Sequence, residues 1–233
     1  MAAPPVGQVF RPTVMNDARL ASFARPAWSV SAPKRAFDIV FSVCALIVAA
    51  PILLIAAVAL RLDTPGPVFF RQTRLGRNGT TFQLLKLRGM YVDARERFPG
   101  WYAYPKEEYQ QIDGYHFHVA ADPRVTRVGR ILRRYSVDEL PNFWNVLRGE
   151  MSVVGPRPEI PELAPLYRSD LSKLLSVRPG VTSPAKATGR DYLTFEETLG
   201  FDLDYIDQRS FFLDLLTIAR TAARSSRGHG VLS

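Results

Sequence analysis

Apolar residues are concentrated in one long segment near the start of the chain. From Ile39 to Leu60 there are 22 consecutive residues without a charge. As a straight helix this run would be roughly 33 Å long, about the thickness of the hydrocarbon core of a bilayer. The pattern predicts a membrane-inserted helix at residues 34–62, after a mobile leader at residues 1–33.

Pro51 lies near the middle of this run and predicts a kink, because proline removes a backbone donor and clashes with the preceding turn. Basic residues flank both ends, with Lys34 and Arg35 before the run and Arg61 after it. Positive charge stays preferentially on the cytoplasmic face, so a helix that enters and returns would satisfy both flanks. On the residues alone, a kinked span and a re-entrant helix are both open.

Shorter patterns follow. Asn78-Gly79 is a hairpin turn signal between the apolar residues of 68–70 and those of 81–85, so we expect a small β-hairpin. Residues 92–121 mix aromatics, charges and proline, which is typical of irregular structure. Within them we expect either a helix at a membrane interface or a loop of packed aromatics.

A basic stripe comes next. Arginines recur there every three to four residues with aliphatic residues between them, which predicts a basic amphipathic helix. They are Arg124, Arg127, Arg130, Arg133 and Arg134. Such a stripe is often a solvated face. This one leads directly into Asp138-Glu139, which favours a surface that binds phosphate or faces lipid.

Composition narrows the class of protein. At 47 % hydrophobic residues the chain can bury a core, and its net charge of +8 suits an anionic partner: phosphate-bearing substrates, an acidic membrane surface or nucleic acid. The single cysteine, Cys44, excludes an internal disulfide, and we interpret it as a small buried hydrophobe. His116 and His118 are interpreted as a surface pair, because no third metal ligand is suggested nearby.

The adjacent carboxylates of Asp138 and Glu139 suit phosphoryl chemistry. One can attack phosphorus as a nucleophile, and the other can hold Mg²⁺. The competing interpretation is a capping box, in which Ser136 caps a helix and Glu139 reaches back to it. Pro141 weakens that interpretation, because its missing N–H would already cost a helical hydrogen bond.

Prolines also stiffen two loops that contain arginine. In Gly155-Pro-Arg-Pro-Glu159 they hold Arg157 in a rigid segment, either as a fork for phosphate or as part of a plain turn. Arg178-Pro-Gly repeats the arrangement. Lys86 and Arg88, two residues apart in a predicted strand, would project to the same face.

Several other functions lack their motifs. The sequence contains no Walker or Rossmann glycine loop, no Gly-x-Ser-x-Gly and no HExxH. It also contains no zinc finger and no RNA-recognition signature, and a membrane segment argues against nucleic acid as a partner.

Taken in order, these segments closely resemble the bacterial sugar transferase family, the monotopic phosphoglycosyl transferases, over about residues 33–222. The motifs that carry the resemblance are KRAFDIV, TPGPVFFRQTRLGRNG, FQLLKLRGM, DPRVTRVGRILRRYSVDELPNFWNVLRGEMSVVGPRPE, VRPGVT and YIDQRSFFLDLLTI. The Asp-Glu-Leu-Pro and Gly-Pro-Arg-Pro segments at this spacing are highly specific.

The resemblance implies roles for individual residues. Pro51 would break a re-entrant helix, Asp138 would be the nucleophile, and Glu139 would help bind Mg²⁺. The phosphate site would be lined by Pro156-Arg157-Pro158. Other basic residues expected to bind substrate or phosphate are Lys86, Arg88, Arg133, Arg134, Arg148 and Arg178.

The resemblance also implies a fold that is mainly α with a small β-hairpin. It would be monotopic, with amphipathic interfacial helices, a catalytic domain at residues 63–225 and a flexible tail at 226–233. We expect it on the cytoplasmic face of the bacterial inner membrane, among phospholipids, with a homodimer also open. The expected reaction moves a sugar 1-phosphate from a UDP-sugar to polyprenyl (undecaprenyl) phosphate, which would initiate polysaccharide or glycoconjugate synthesis.

Two stretches depart from the family pattern. Lys86-Leu-Arg-Gly-Met90 stands where the family often has Lys-x-Arg-Ser-Met, and residues 181–190 replace a Gly-Leu-Trp-Gln-like run. We expect the second departure to bear on the nucleotide or sugar. Two rivals remain: direct transfer in a ternary complex, and a non-catalytic scaffold that binds anionic lipids through its basic face.

Overall fold

The computed structural model describes residues 31–102, 122–189 and 193–227. Its longest element is helix α1, Ala32–Asp63, which Ser31 caps by accepting a hydrogen bond from the backbone N–H of Lys34. The helix begins two residues before the predicted start and continues through Pro51. Among the described residues, α1 is the one helix that is both long enough and apolar enough to cross a membrane. The re-entrant bend at Pro51 stays a prediction.

The other elements are short, apart from the two C-terminal helices. The helices are α2 Ala94–Arg97, α3 Arg127–Arg134, α4 Asn142–Leu147, α5 Leu171–Leu174, α6 Pro184–Thr188, α7 Phe195–Gln208 and α8 Phe211–Ser226. The strands are β1 Phe69–Leu75, β2 Thr81–Leu87, β3 Ser152–Val154 and β4 Gly180–Thr182. Single 3-10 turns lie at Arg77–Gly79, Pro99–Tyr102 and Val137–Glu139, and a longer 3-10 segment spans Pro161–Asp170.

The predicted β-hairpin is confirmed. Strands β1 and β2 pair antiparallel, from Phe69 opposite Leu87 to Leu75 opposite Thr81. Asn78 and Gly79 form the turn with φ of 59° and 75°. This left-handed region suits asparagine and glycine, which explains why this dipeptide marks the turn. The mainly helical fold is confirmed with it.

A second pair of strands joins the two proline-stiffened loops. Strands β3 and β4 pair in parallel, with Ser152 opposite Gly180 and Val154 opposite Thr182. At the end of β3, a Cβ on Gly155 would lie 2.4 Å from the carbonyl oxygen of Arg178. The two backbones therefore approach closely because glycine is present, and the loop after β3 lies beside the segment that leads into β4.

Helix α1 packs on the rest of the protein along both of its halves. Phe41 and Leu46 of the first half contact the main core, and Leu53 and Leu60 of the second half contact a smaller cluster that includes Leu132 of α3. The main core is built around the buried residues Phe82, Val146, Met151, Val153, Val154, Tyr205 and Ile206. The start of α1 is also fixed by polar contacts.

Asp38 accepts hydrogen bonds from the backbone N–H of Val153 and the hydroxyl of Ser152, both at 3.1 Å. Arg35 donates to the carbonyl oxygens of Val146 and Leu147 at 2.6 and 2.9 Å. Because both contacts begin in the first two turns of α1, this end of the helix is bound firmly to α4 and β3.

The outer face of α1 is apolar and exposed. Its large exposed residues are Ile39, Val40, Val43, Ile47, Val48, Ile52, Leu54, Ile55, Val58 and Leu62. Cys44 is also exposed, so its interpretation as a buried residue was wrong. Only the inner side of α1 contacts the rest of the protein. The apolar residues on its outer side, most of which belong to the predicted apolar run, are therefore left exposed.

Candidate active site

Asp138 and Glu139 lie in the single 3-10 turn between α3 and α4. Ser136, just before the turn, has the left-handed φ of 56° and makes no capping hydrogen bond with its side chain. The capping-box interpretation was therefore wrong. Pro141 instead precedes α4 as its N-cap residue, where a missing N–H costs no helical hydrogen bond.

Glu139 is held by two lysines from distant parts of the chain. Lys86, near the end of β2, places its Nζ 2.7 Å from Oε1 of Glu139, and Lys186 of α6 forms an ion pair with Oε2. Lys186 also donates to the carbonyl oxygen of Val181 at 3.2 Å. Its position is set by Ser183, whose hydroxyl accepts from the backbone N–H of Lys186 at the start of α6.

A small polar pocket opens beside Glu139. Its walls come from β1, β2, the Gly155–Glu159 loop, β4 and α6, and its polar lining residues are Arg74, Lys86, Glu139, Asn142, Arg157, Thr182, Ser183 and Lys186. The pocket is partly open to solvent and has a volume of about 30 Å³. That is room for about two water molecules.

The Gly155–Glu159 loop is fixed on one side of this pocket. The backbone N–H of Arg157 donates to Asp202 at 3.0 Å, and its Nε lies 3.3 Å from Oε1 of Glu159. Arg74 donates to the carbonyl oxygen of Pro158 at 2.8 Å. Arg157 is thus held in place before an anion binds, so it loses less conformational entropy on binding.

The electrostatics of the site are unusual for a surface turn. Burial, and then the neighbouring charge of Glu139, raise the pKa of Asp138, while Lys86, Arg133 and Lys186 oppose the rise. Burial also lowers the pKa of Lys86, against the attraction of Glu139 and Asp138. Perturbed carboxyl and amino groups side by side are a feature of functional sites.

Several predicted residues meet in this site. Asp138 and Glu139 share the turn, Lys86 and Arg157 line the pocket with Pro158, and Arg133 is close enough to act on the charge of Asp138. Pro156 is buried at the base of the loop, where its carbonyl oxygen accepts from the backbone N–H of Gly180 at 2.8 Å.

Four predicted phosphate ligands are located elsewhere. Arg88 lies beyond the end of β2, so it does not share a strand face with Lys86, and it donates to the carbonyl oxygens of Leu60, Thr64 and Pro65 at the end of α1. Arg148 is exposed and pairs with Glu150. Arg178 donates to the carbonyl oxygen of Gly149, and Arg134 lies over the ring of Tyr135.

Sequence reasoning missed Lys186, Arg74 and Asn142 as pocket residues. For Lys186, the sequence offered one indication: it lies in residues 181–190, the stretch that departs from the family pattern. Arg74 lies within the motif TPGPVFFRQTRLGRNG, but no role was assigned to it. Both reach the pocket through contacts between elements far apart in sequence.

A magnesium ion stays a prediction, because both carboxylate oxygens of Glu139 are paired with lysines. In the described ranges, no group of three or more His, Cys, Asp or Glu side chains could hold a metal by themselves. Mg²⁺ commonly takes one or two carboxylates, with substrate phosphates and waters as its other ligands. A cation on Glu139 would also reduce the repulsion that raises the pKa of Asp138.

The chain belongs to the bacterial sugar transferase family: the family's sequence profile matches residues 29–228. The resemblance seen in the motifs is thereby confirmed, and the protein is an enzyme of the sugar-phosphate transferase class.

Individual relatives are similar over most of this chain. It is 36 % identical over 197 residues to the exopolysaccharide production protein ExoY of Rhizobium meliloti (strain 1021), covering 84 % of this chain and 87 % of the relative. It is 40 % identical over 212 residues to the UDP-glucose:undecaprenyl-phosphate glucose-1-phosphate transferase of Caulobacter vibrioides, covering 84 % and 70 %. The undecaprenyl-phosphate glucose phosphotransferase of Komagataeibacter xylinus is 39 % identical, with 82 % of this chain and 35 % of the relative covered.

Proposed function

We propose that the protein transfers a sugar 1-phosphate from a UDP-sugar to polyprenyl phosphate, with Asp138 as a covalent nucleophile. The observation that carries this proposal is the Asp138–Glu139 pair among cations, next to Val137, which packs on the second half of the long apolar helix. The names of two relatives contain undecaprenyl-phosphate as acceptor, which supports the same acceptor class here. The product would begin a polysaccharide or glycoconjugate.

The first step forms an enzyme-bound phosphosugar. A carboxylate oxygen of Asp138 attacks the phosphorus that bears the sugar, the bond from that phosphorus to the bridging oxygen breaks, and UMP leaves with the electron pair. Lys86, whose charge acts on Asp138, lines the neighbouring pocket with Arg157, and both would stabilise the charge on the phosphate oxygens.

The second step restores the enzyme. An oxygen of polyprenyl phosphate attacks the same phosphorus, the bond to Asp138 breaks, and a polyprenyl diphosphate sugar is released. One carboxylate can thus serve a water-soluble donor and a lipid acceptor in turn. Glu139 and the donor's phosphate oxygens would hold Mg²⁺, which neutralises diphosphate charge when bound.

The contacts of α1 support a re-entrant arrangement in the membrane. Its start is bound to α4 and β3, and its end packs with Leu132 of α3, so both ends lie against the same globular part. A straight span would carry one end away from that part. We therefore propose that α1 enters and leaves on the cytoplasmic face of the inner membrane.

Exposed aromatic residues support contact with the membrane interface. Phe211 and Phe212 are exposed at the start of α8, and the ring of Phe211 stacks edge-on with Phe37 of α1 at 5.4 Å between centroids. Trp144 of α4 is also exposed. Tryptophan is enriched at the headgroup level, and phenylalanine is common on the apolar face of helices that lie in the interface. The homodimer stays a prediction.

The test is UMP release from a panel of UDP-sugars by detergent-purified protein with undecaprenyl phosphate and Mg²⁺. UDP-glucose and UDP-galactose come first, because relatives are named for glucose and galactosyl transfer. We expect release with one donor from the wild type and from Asp204→Asn, an exposed aspartate on α7, and loss of release in Asp138→Asn.

Trapping completes the test. A sugar-phosphate adduct on Asp138, found by mass spectrometry with donor alone, separates covalent transfer from direct transfer in a ternary complex. A fully active Asp138→Asn variant would overturn the covalent mechanism. Folded protein that releases no UMP from any donor, yet binds anionic vesicles with steep salt dependence, would support the scaffold instead.

A further inference from the structure

Both carboxylate oxygens of Glu139 are engaged by lysines. Lys86 comes from the hairpin and Lys186 from α6, and the two ammonium groups meet on one side chain. All three side chains are largely buried, with 24 %, 14 % and 16 % of the side chain exposed for Lys86, Lys186 and Glu139. The ion pairs thus occupy the pocket that is proposed for the donor.

A divalent cation on Glu139 would compete with these two ammonium groups for the same carboxylate oxygens. A lysine that loses its carboxylate in a largely buried site needs another anion, because an unpaired buried charge is costly. The diphosphate of the donor is such an anion, and it would arrive with the cation. The geometry therefore couples the two binding events.

Lys186 is better suited than Lys86 to make this exchange. The charge of Asp138 also acts on Lys86, so Lys86 keeps an anionic neighbour when Glu139 changes partner. The other recorded contact of Lys186 is the neutral carbonyl oxygen of Val181 on the pocket wall. Lys186 also lies in the stretch that departs from the family pattern, next to Thr182 and Ser183 of the lining.

We propose that Lys186 is a positioning residue that exchanges Glu139 for the donor's diphosphate when Glu139 binds a divalent cation. In one arrangement Lys186 competes with the cation for Glu139, and in the other it fixes the diphosphate against the pocket wall. This inference rests on the proposed function, and it makes Lys186 a residue on which donor affinity depends.

The test is Mn²⁺ binding to the full-length protein in detergent, followed by electron paramagnetic resonance with and without UDP. Mn²⁺ replaces Mg²⁺ here because both prefer carboxylate and phosphate oxygens. Without UDP, we expect Lys186→Gln to bind Mn²⁺ about fivefold more tightly than wild type, since a competing charge has been removed. With UDP, the affinity for Mn²⁺ should increase more in wild type than in Lys186→Gln.

Two further variants serve as controls. Lys186→Arg keeps the charge and should retain the wild-type coupling between Mn²⁺ and UDP. Lys173→Gln removes a lysine whose ion pair with Asp207 lies at the surface, and it should bind Mn²⁺ like wild type. Thermal unfolding of each variant checks that the fold is retained.

Three results would overturn the exchange. The first is Lys186→Gln binding Mn²⁺ equally or more weakly without UDP, and the second is equal coupling in wild type and Lys186→Gln. The third is an Mn²⁺ affinity that is unchanged in Glu139→Gln, which would show that the metal does not bind to Glu139. Because UMP release is assayed separately, each of these failures is distinguishable from failure of sugar-phosphate transfer.

Discussion

The ammonium group of Lys34 lies 2.9 Å from the carboxylate of Asp214, and this ion pair joins the first turn of α1 to α8. Lys34 also pairs with Asp38 at 2.8 Å, and the hydroxyl of Tyr205 donates to the other oxygen of Asp214 at 2.7 Å. All of these groups are buried. The start of the apolar helix is thus fixed to a helix near the other end of the chain.

Replacing Lys34 by methionine should destabilise the protein strongly. The change leaves Asp38 and Asp214 buried without their shared cation, and removing one partner of a buried pair typically costs about 3–5 kcal/mol. Thermal unfolding in detergent measures the loss. Lys173→Met is the matched control, because its pair with the exposed Asp207 contributes at most about 1 kcal/mol. Equal effects of the two substitutions would contradict the importance of this network.

UMP release should depend on pH through Asp138. Only the ionised carboxylate can attack phosphorus, and the pKa of Asp138 is raised above its ordinary value of 3.8 by burial and by Glu139. The rate should therefore fall as the pH drops through the raised pKa, at a higher pH than for an ordinary aspartate. Initial rates across a pH series measure this. A rate that falls only near the ordinary pKa of an aspartate would count against this buried environment of Asp138.

Asp138→Asn should be more stable than wild type at neutral pH. In the wild type, the pKa of the Asp138 carboxyl is higher in the folded protein than in the unfolded chain. The folded protein therefore binds more protons between the two pKa values. The contribution of Asp138 to the free energy of unfolding is then fully present below the unfolded pKa of 3.8, and it is lost as the pH rises through the folded pKa. Removing the charge abolishes that loss.

Thermal unfolding of wild type and Asp138→Asn from acid to neutral pH checks this prediction. The two curves should converge at the acid end and separate towards neutral pH. Asp204→Asn, on the exposed face of α7, should follow wild type throughout. An asparagine variant that is less stable at neutral pH would show that the cations around Asp138 outweigh its burial.

Two glycine substitutions should have opposite effects. A Cβ on Gly129, in α3, would lie 2.1 Å from the carbonyl oxygen of Gly89, so Gly129→Ala should force α3 away from the segment after β2. We expect a loss of about 1–3 kcal/mol in the free energy of unfolding. Gly200, exposed in α7, has nothing within 4 Å of its Cβ position, and Gly200→Ala should stabilise by about 0.5–1 kcal/mol. Chemical denaturation compares them, and a neutral Gly129→Ala would contradict the close packing.

Local patterns predicted the local structure well. The uncharged run specified α1 because a long apolar helix is its simplest arrangement, and Asn78-Gly79 specified its turn because both residues tolerate positive φ. Adjacent in sequence, Asp138 and Glu139 had to be adjacent in space. None of these inferences needed knowledge of tertiary packing.

Long-range neighbours were less predictable. Arg88 was expected beside Lys86 from strand alternation, but β2 ends at Leu87 and the next side chain turns to the end of α1. Lys186 reaches Glu139 because β4 pairs with β3, which sequence periodicity does not encode. Pairing between short strands depends on close backbone approach, so single-sequence patterns carry little information about it.

The attachment of both ends of α1 to one globular part has a consequence for lipid composition. A helix that crosses a bilayer must match its full thickness, and mismatch costs free energy for every ångström. On the proposed arrangement, α1 enters a single leaflet, and its depth is set by Arg35 at one end and Leu60 at the other. The distance from the active-site carboxylates to the headgroups would therefore stay constant when acyl chains lengthen, so the same enzyme could work in thin and thick membranes.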